Sequence, residues 1–376
     1  MMETIGLNSE VVAGGKKFHV QTQFLESNEK IISNIFDDGK VIVTKDIAIG
    51  SRLSVRELKE QTERLHQAMI SDLELLYFIA EKVRTVRHAL SNNKLGLAFL
   101  KRNLFDEAMA EFERAVEIDP ELTEAYLNWG RAYLQQNKFA EAIAIFSRAL
   151  QKNPEYADLH NYLGYAHFRN QQLPEAAGDI KFALEKNPKY VEAVFNFCLV
   201  LLQSVLDGLE EFDHSTVVER LDRVKEFLTS IVDQRDYYKT DYLEQAIEKL
   251  NDDNIAEAMK SLEMADADRP VRAELDLESE FYLKFMFGGK GKDDEFIREY
   301  TQKLKQAVAS RPDYADLRNN LGIAYLIQCR NLFLNALEEF REAIRINPDF
   351  KKAEKNLKLA ENDGKGFLIL LRAILK

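Results

Sequence analysis

The sequence predicts a mainly α-helical solenoid, preceded by a small antiparallel β-meander and a long helix. Three observations lead to this fold class. The chain has only 7 prolines and 16 glycines in 376 residues, roughly half of the usual share of about 12%, so turns are few and regular elements long. Pro120, Pro154 and Pro188 are 34 residues apart, and a fixed period of this length indicates repeats. Residues 16–49 alternate apolar and polar side chains, which is typical of strands.

Residues 1–53 are expected to form the β-meander, with three strands at about 17–25, 30–36 and 41–48. Asp38 and Gly39 lie between two β-branched runs, and this pair is a strong hairpin signal. A sheet this small is not stable alone, so one face should pack on a helix. Two interpretations stay open. The sheet either caps the first repeat or forms a separate binding or dimerisation module through an exposed edge strand.

The connecting helix is expected over residues 54–88. Ser54 and Glu57 have the spacing of a capping box, which satisfies unpaired amides at a helix start. Apolar residues then recur along one face, from Leu58 through Leu65 and Met69 to Leu76. This stripe favours an amphipathic helix that joins the sheet to the solenoid.

The repeat region keeps its period at several positions besides proline. Glycine recurs at 96, 130 and 164, and alanine recurs at two further positions of each unit. These residues resemble the tetratricopeptide repeat family, whose 34-residue unit is a pair of antiparallel helices with small residues at their crossing. The resemblance implies a right-handed solenoid of about seven helix-turn-helix units over residues 89–348. Four units match clearly, and residues 191–314 match only weakly; the clear units are 89–122, 123–156, 157–190 and 315–348.

The distances between the remaining prolines exceed whole periods, which predicts insertions in the turns at 207–215, 288–292 and 330–333. After the last repeat, residues 349–376 are expected to form capping helices, a charged one over 349–362 and an apolar one over 365–376. The apolar helix either packs on the last repeat or docks elsewhere, in self-association or, more remotely, on a membrane.

Composition excludes several classes of function. The net charge is −12, so a basic footprint for nucleic acid is missing. Cys198 and Cys329 are too few for a disulfide framework and have no metal-binding spacing. We find neither an apolar signal segment nor a run long enough to span a bilayer. These features predict a cytoplasmic protein without an integral membrane segment.

A catalytic arrangement is not evident either. The six histidines have no metal-binding spacing, and residues 288–292 lack the residue order of a phosphate-binding loop. His160 and His167 are expected to pack in the core or groove. The sequence therefore predicts a protein that is not an enzyme and needs no cofactor or metal.

The resemblance implies that the first helix of each unit lines a concave groove. Asparagine suits such a surface because it offers a donor and an acceptor to a peptide backbone, and aromatic rings add apolar contact area. For any one of these residues, packing between repeats is the alternative. The predicted partner-binding residues are Asn93, Lys101, Asn128, Arg131, Asn161, Tyr165, Phe168, Arg169, Phe195, Asn196, Asn319 and Asn320.

One specialised groove can be tested from the sequence. Co-chaperones of the resembled family hold a C-terminal carboxylate with basic residues at the positions equivalent to 93, 158 and 162, and asparagine at those equivalent to 97 and 128. This chain has Asn93, Leu97, Asp158 and Tyr162 there, and only Asn128 fits. Asp158 would repel a carboxylate, so a chaperone-tail adaptor is disfavoured.

The sequence thus favours a non-enzymatic scaffold or adaptor that binds a partner protein or peptide in the concave groove. An alternative is a structural protein that self-associates into a homo-oligomer through the N-terminal sheet edge or the 365–376 helix. A second alternative is a regulatory peptide receptor.

Overall fold

The computed structural model describes residues 5–49, 53–234, 240–267, 273–290, 293–310, 312, 315–349 and 351–361. The chain divides into two compact units. Unit 1 comprises Met1–Ile70 and Val83–Ala273, and unit 2 comprises Ser71–Lys82 and Glu274–Lys376. The 365–376 helix of the sequence analysis lies outside the described residues.

Unit 1 begins with a four-stranded antiparallel sheet in the order β1-β2-β3-β4. Its strands are β1 (Gly6–Ala13), β2 (Lys16–Leu25), β3 (Lys30–Asp37) and β4 (Lys40–Ala48). The sequence predicts the last three, but the meander has one strand more than predicted. The turn before β2 is made by Gly14 and Gly15, both with positive φ, and a Gly-Gly pair is a hairpin signal. Polar Asn8 and Ser9 weaken the alternation in β1.

The buried face of the sheet is mainly apolar, with Phe18, Val20 and Ile31 fully buried. Helix α1 (Val55–Arg84) follows the sheet. The predicted capping box is present, since the Ser54 amide and hydroxyl both donate to Glu57 Oε2, at 2.8 and 2.7 Å.

A polar network lies between the sheet and the unit 1 part of α1. The His66 ring bonds to the Ser9 hydroxyl at 2.8 Å and to the Thr22 hydroxyl at 2.9 Å. Thr22 is also 2.6 Å from the Ser33 hydroxyl, and both hydroxyls are fully buried. These bonds fix the packing of the sheet on α1, because a buried polar group without a partner is costly.

The sheet also contacts the first helical hairpin of unit 1. Lys16 forms an ion pair of 2.6 Å with Glu107, and the Asn103 amide donates to the Ile42 carbonyl at 3.0 Å. Both contacts fit the interpretation of the sheet as a cap on the first repeat.

Three regular helical hairpins follow. They are α2 (Ala89–Leu100) with α3 (Phe105–Ile118), α4 (Thr123–Gln135) with α5 (Phe139–Leu150), and α6 (Ala157–Arg169) with α7 (Leu173–Lys186). Each hairpin turns at a residue with positive φ, namely Asn103, Asn137 and Gln171, which are again 34 residues apart. The repeat period therefore appears in the backbone as well as in the sequence.

The glycines of these hairpins allow close helix packing. A Cβ built at Gly96 would lie 2.5 Å from the Phe112 ring, and one at Gly164 would lie 2.5 Å from Ile180. At Gly130 it would overlap the Phe146 ring. Protein interiors do not tolerate such overlap, so the recurring glycine is a packing requirement.

The remainder of unit 1 departs from the regular repeat. Helix α8 (Val191–Leu206) leads through the short strands β5 (Glu211–Phe212) and β6 (Ser215–Thr216) to α9 (Val217–Gln234). The insertion predicted at 207–215 contains this small hairpin. Helices α10 (Thr240–Asn251) and α11 (Ile255–Ala267) complete the unit, and α11 packs against α8.

Unit 2 has its own core. Helices α12 (Ala273–Met286), α13 (Asp294–Ser310) and α14 (Ala315–Ile346) supply most of it. The Phe281 and Tyr300 rings stack 3.7 Å apart between centroids, beside buried Ile297, Leu304 and Ile327. A further helix covers residues 351–361, where the sequence predicts a charged capping helix.

The turn predicted at 330–333 is wrong, because α14 runs unbroken for 32 residues. Among the described residues, nothing lies within 4 Å of a Cβ built at Gly322, in contrast to the glycines of the regular hairpins. Asn331 stays helical and buried, and its amide donates to Asp294 Oδ1 of α13 at 2.8 Å. Residues 315–348 therefore keep the family's sequence pattern without forming its helical hairpin.

Candidate functional site

The first helices of the regular hairpins form one continuous row in unit 1. Helix α2 contacts α4, α4 contacts α6, and α6 contacts α8, whereas the second helices do not contact one another to this extent. Closer packing on one side curves the stack toward that side. The row α2, α4, α6 and α8 therefore lies on the inner side of the curve, which we call the inner face.

The four predicted asparagines of this row are buried and bond in pairs. The Asn128 amide donates to Asn93 Oδ1 at 3.0 Å, and the Asn196 amide donates to Asn161 Oδ1 at 2.8 Å. Asn161 in turn donates to the Tyr190 hydroxyl at 3.3 Å. These amides hold neighbouring first helices together, and direct contact of these four residues with a partner stays a prediction.

The other predicted residues divide by exposure. Lys101 is exposed and Arg131 half-buried, with its guanidinium over the Tyr162 ring. Phe195 is fully buried in the unit 1 core, so it offers no surface in this arrangement. Asn319 and Asn320 belong to unit 2, where Asn320 donates to Glu278 Oε2 at 3.1 Å.

Tyr165, Phe168 and Arg169 lie together at the end of α6. Arg169 donates to the Tyr165 hydroxyl at 2.9 Å, and that hydroxyl donates to Asp266 Oδ2 of α11 at 2.6 Å. The Arg169 guanidinium also lies 5.0 Å from the Phe139 ring centroid, within range of a cation–π contact. This chain of contacts fixes the charged group of Arg169 at the surface.

A cavity of about 710 Å³ opens beside these residues. Its size falls in the range of about 300–1,000 Å³ that is usual for ligand pockets, and its lining is more polar than apolar. Its lining residues come from α6, α7, α8, α11 and the turns beside them; they are Phe168, Arg169, Gln171, Leu173, Leu199, Gln203, Asp207, Glu263, Asp266 and Ala267.

The charge of the cavity lining is unbalanced. It carries three carboxylates, on Asp207, Glu263 and Asp266, against the single cation of Arg169. Asp207 accepts a hydrogen bond from the neutral Gln203 amide at 2.7 Å, and in the described part of the chain neither Asp207 nor Glu263 forms an ion pair. The cavity therefore favours positively charged groups.

Sequence reasoning found only one side of this cavity. Phe168 and Arg169 were among the predicted residues because they occupy repeat positions of α6. Glu263 and Asp266 were missed, since they lie on α11, whose repeat pattern is weak. That α11 packs against α8 depends on tertiary packing after the β5–β6 insertion, and we find no local sequence signal for it.

A histidine cluster in the third hairpin was also interpreted only as packing. His160 lies 2.8 Å from Asp179 Oδ1 and His167 lies 3.7 Å from Asp179 Oδ2. Among the described residues, no group of three or more histidine, cysteine, aspartate or glutamate side chains is placed to hold a metal ion. In the same residues, no helix has the length and apolar character needed to span a bilayer.

The family matches agree with this geometry. A tetratricopeptide repeat model matches residues 127–191, and a second TPR repeat model matches residues 96–136. Both matches fall on the three regular hairpins. Residues 96–191 are therefore tetratricopeptide repeats, and the N-terminal sheet has no assigned family. No curated protein sequence is significantly similar to it.

Several solved structures are similar over part of the chain. The first TPR of Spaghetti (RPAP3), bound to the HSP90 peptide SRMEEVD, is 28% identical over 32% of this chain and 93% of its own, with a TM-score of 0.30. YrrB, a TPR protein with an unusual peptide-binding site, is 22% identical over 54% of this chain and 97% of its own, with a TM-score of 0.34. PilF of Pseudomonas aeruginosa is 17% identical over 61% and 95%, with a TM-score of 0.36. These TM-scores are low, and the family assignment rests on the sequence models and the hairpin geometry.

Proposed function

We propose that the protein is a non-enzymatic scaffold that binds a partner protein or peptide on the inner face of unit 1. The observation that carries the proposal is the cluster of Tyr165, Phe168 and Arg169 beside the 710 Å³ cavity. Aromatic residues and arginine dominate the binding energy of many protein interfaces. The buried asparagine pairs support this surface from below, since they hold the first helices at fixed spacing.

The partner contacts are expected from exposed residues of the row. Lys101, Arg131, Phe168 and Arg169 all keep accessible surface, whereas the four paired asparagines do not. A peptide lying across α2, α4 and α6 would meet cations on each helix and an aromatic side chain at the end of the row. The asparagines then act through helix positioning, and their substitution would disturb the fold as well as binding.

The proposal can be tested by comparing two double variants in affinity purification from the source organism. Arg131→Ser with Phe168→Ser removes an arginine and a phenylalanine from the inner face. The matched control, Arg148→Ser with Phe182→Ser, removes the same residue types from the second helices α5 and α7. We expect the first variant alone to lose a defined set of co-purifying proteins, as measured by quantitative mass spectrometry. Equal recovery with both variants, each shown to be folded, would overturn the proposal.

A cytoplasmic location stays a prediction from the sequence. Cys198 is buried and Cys329 exposed, and neither forms a disulfide. Self-association through the sheet also stays a prediction. It is supported by β4, which is an edge strand with Val41 and Ile47 partly exposed.

A further inference from the structure

We infer that the cavity at the end of α6 takes a segment of the partner in which a lysine or arginine adjoins an apolar side chain. This inference rests on the proposed function and assigns the chemistry that the inner face recognises. It follows from the shape of the cavity, its lining and its charge.

The smaller, apolar part of the lining can contact an apolar side chain. Leu173 and Leu199 are buried, with exposed fractions of 7% and 2%, and the half-buried Phe168 ring lies beside them. A volume of about 710 Å³ is far larger than a single ion needs. An occupant that filled it would contact the leucine and phenylalanine side chains as well as the polar lining.

The charged residues of the lining favour an occupant with a positive charge. Tyr165 links Arg169 to Asp266 through two hydrogen bonds, so the one cation is already close to a carboxylate. The Asp207 and Glu263 carboxylates remain without a cation in the described part of the chain. An incoming ammonium or guanidinium group would balance them, whereas an acidic side chain would be repelled.

The geometry also gives a direction to the bound segment. Lys101 directly follows α2 and Arg131 lies on α4, toward the start of the row. At the other end of the row, Asp207 directly follows α8 and Glu263 lies on α11. A basic residue in the cavity is therefore kept away from the cations of α2 and α4. A segment placed the other way round would set like charges against each other.

The test uses three fluorescein-labelled peptides that differ only at two positions, which are lysine, glutamine or glutamate; their sequences are GSLKLKSG, GSLQLQSG and GSLELESG. Binding to the intact chain is measured by fluorescence anisotropy at low and high salt. We expect the lysine peptide to bind most tightly and the glutamate peptide most weakly. High salt should reduce the difference, because exposed charges are screened.

Variants then assign the preference to the cavity. Asp207→Asn with Glu263→Gln keeps side-chain size and should weaken binding of the lysine peptide by about three- to tenfold. The matched control, Glu117→Gln with Asp222→Asn, neutralises two exposed carboxylates of α3 and α9 and should leave binding unchanged. Equal tightness of the lysine and glutamate peptides, or an equal effect of both double variants, would overturn the inference.

A Phe168→Ser variant separates this inference from the proposed function. If all three peptides bind equally and Phe168→Ser weakens each of them, the inner face binds peptides without charge preference, and only the inference fails. If Phe168→Ser changes nothing, the proposed site fails as well. Absence of binding by all three peptides also overturns the inference, and the affinity purification described above still decides the proposed function.

Discussion

Glycine at the helix crossings shows how single residues define the repeat. A Cβ added at Gly130 would overlap the Phe146 ring, and one added at Gly96 would overlap the Phe112 ring. Gly178, in α7, has nothing within 4 Å of a built Cβ. Glycine is therefore required for packing at Gly130 and Gly96. At Gly178 it only lowers stability, because glycine loses more conformational entropy on folding than other residues.

We predict that Gly130→Ala destabilises the protein by about 1–2 kcal/mol, because overpacking the crossing outweighs the better helix propensity of alanine. The matched control, Gly178→Ala, should stabilise it by about 0.5–1 kcal/mol. Denaturant unfolding followed by the fluorescence of Trp129, the single tryptophan, measures both. Stabilisation by Gly130→Ala would contradict the close crossing of α4 and α5.

His66 gives a pH dependence with a defined sign. Burial lowers the pKa of His66, and the charge of His19 lowers it further. Because the folded pKa lies below the unfolded value, the stabilisation is complete above about pH 6.5 and is lost as the pH falls through the folded pKa. We predict that His66→Gln removes this acid-dependent loss of stability, measured as the difference in unfolding free energy between neutral and mildly acidic solution.

His160 is a control with the opposite sign. Burial alone would lower its pKa, but hydrogen bonds to Asp179 and the Pro154 carbonyl raise it above the ordinary value. Its stabilisation is complete below about pH 6.5 and is lost as the pH rises through the folded pKa. His160→Gln should therefore cost more stability in mild acid than above neutral pH. The same pH response for both variants would contradict the opposite pKa shifts of His66 and His160.

Among the helices and strands, the sequence predicts the ones that are marked by a local pattern of residues. The three strands and the first three hairpins were predicted because alternation, turn residues and the 34-residue period are local. Strand β1 was missed because Asn8 and Ser9 weaken its alternation. The acidic side of the cavity was missed because it depends on where α11 packs.

The unbroken helix α14 is the clearest failure of pattern reasoning. Gly322 and the later alanines fit the family consensus, yet the chain has no turn residue with positive φ between them. Asn331, which could have adopted such a turn, instead bonds to Asp294 from within the helix. The consensus pattern therefore predicts a helical hairpin only where a residue between the two helices adopts a turn with positive φ.

We predict that Leu332→Gly destabilises unit 2 by about 1 kcal/mol, because Leu332 is 68% exposed and glycine in a helix interior is unfavourable. The matched control, Leu332→Ala, removes the same side chain while favouring the helix, and should change stability by only a few tenths of a kcal/mol. Thermal unfolding followed by circular dichroism measures both. If the glycine variant were as stable as the alanine variant, position 332 would lie in a turn, which would contradict the unbroken helix α14.

At the scale of the whole molecule, the two units have separate cores. The unit 1 cluster includes Phe195 and Leu228, and the unit 2 cluster includes Phe281 and Tyr300. Separate cores allow separate unfolding transitions. Trp129 lies in unit 1, so its fluorescence follows the unfolding of that unit.

We predict that tryptophan fluorescence and circular dichroism give different unfolding midpoints. Gly178→Ala should move the fluorescence transition, and Leu332→Gly should move only the transition that fluorescence does not detect. Coincident midpoints that both variants shift together would show that the chain unfolds as one cooperative unit.

The proposed function also depends on several elements at once, because the inner face is made by neighbouring hairpins of unit 1 together. The α6 end supplies aromatic and cationic side chains, while α8 and α11 supply the apolar and acidic parts of the cavity. None of these elements alone would form a binding surface of useful size.

The most direct test of partner binding on the inner face is site-specific photo-crosslinking in the source organism. Benzoylphenylalanine replaces Phe168 on the inner face or, as the control, Phe182 on α7. Both side chains are half-buried phenylalanines of the third hairpin, so only the face differs. We predict that a partner protein is crosslinked from position 168 and not from position 182. Crosslinking only from position 182, or from neither position, would contradict it.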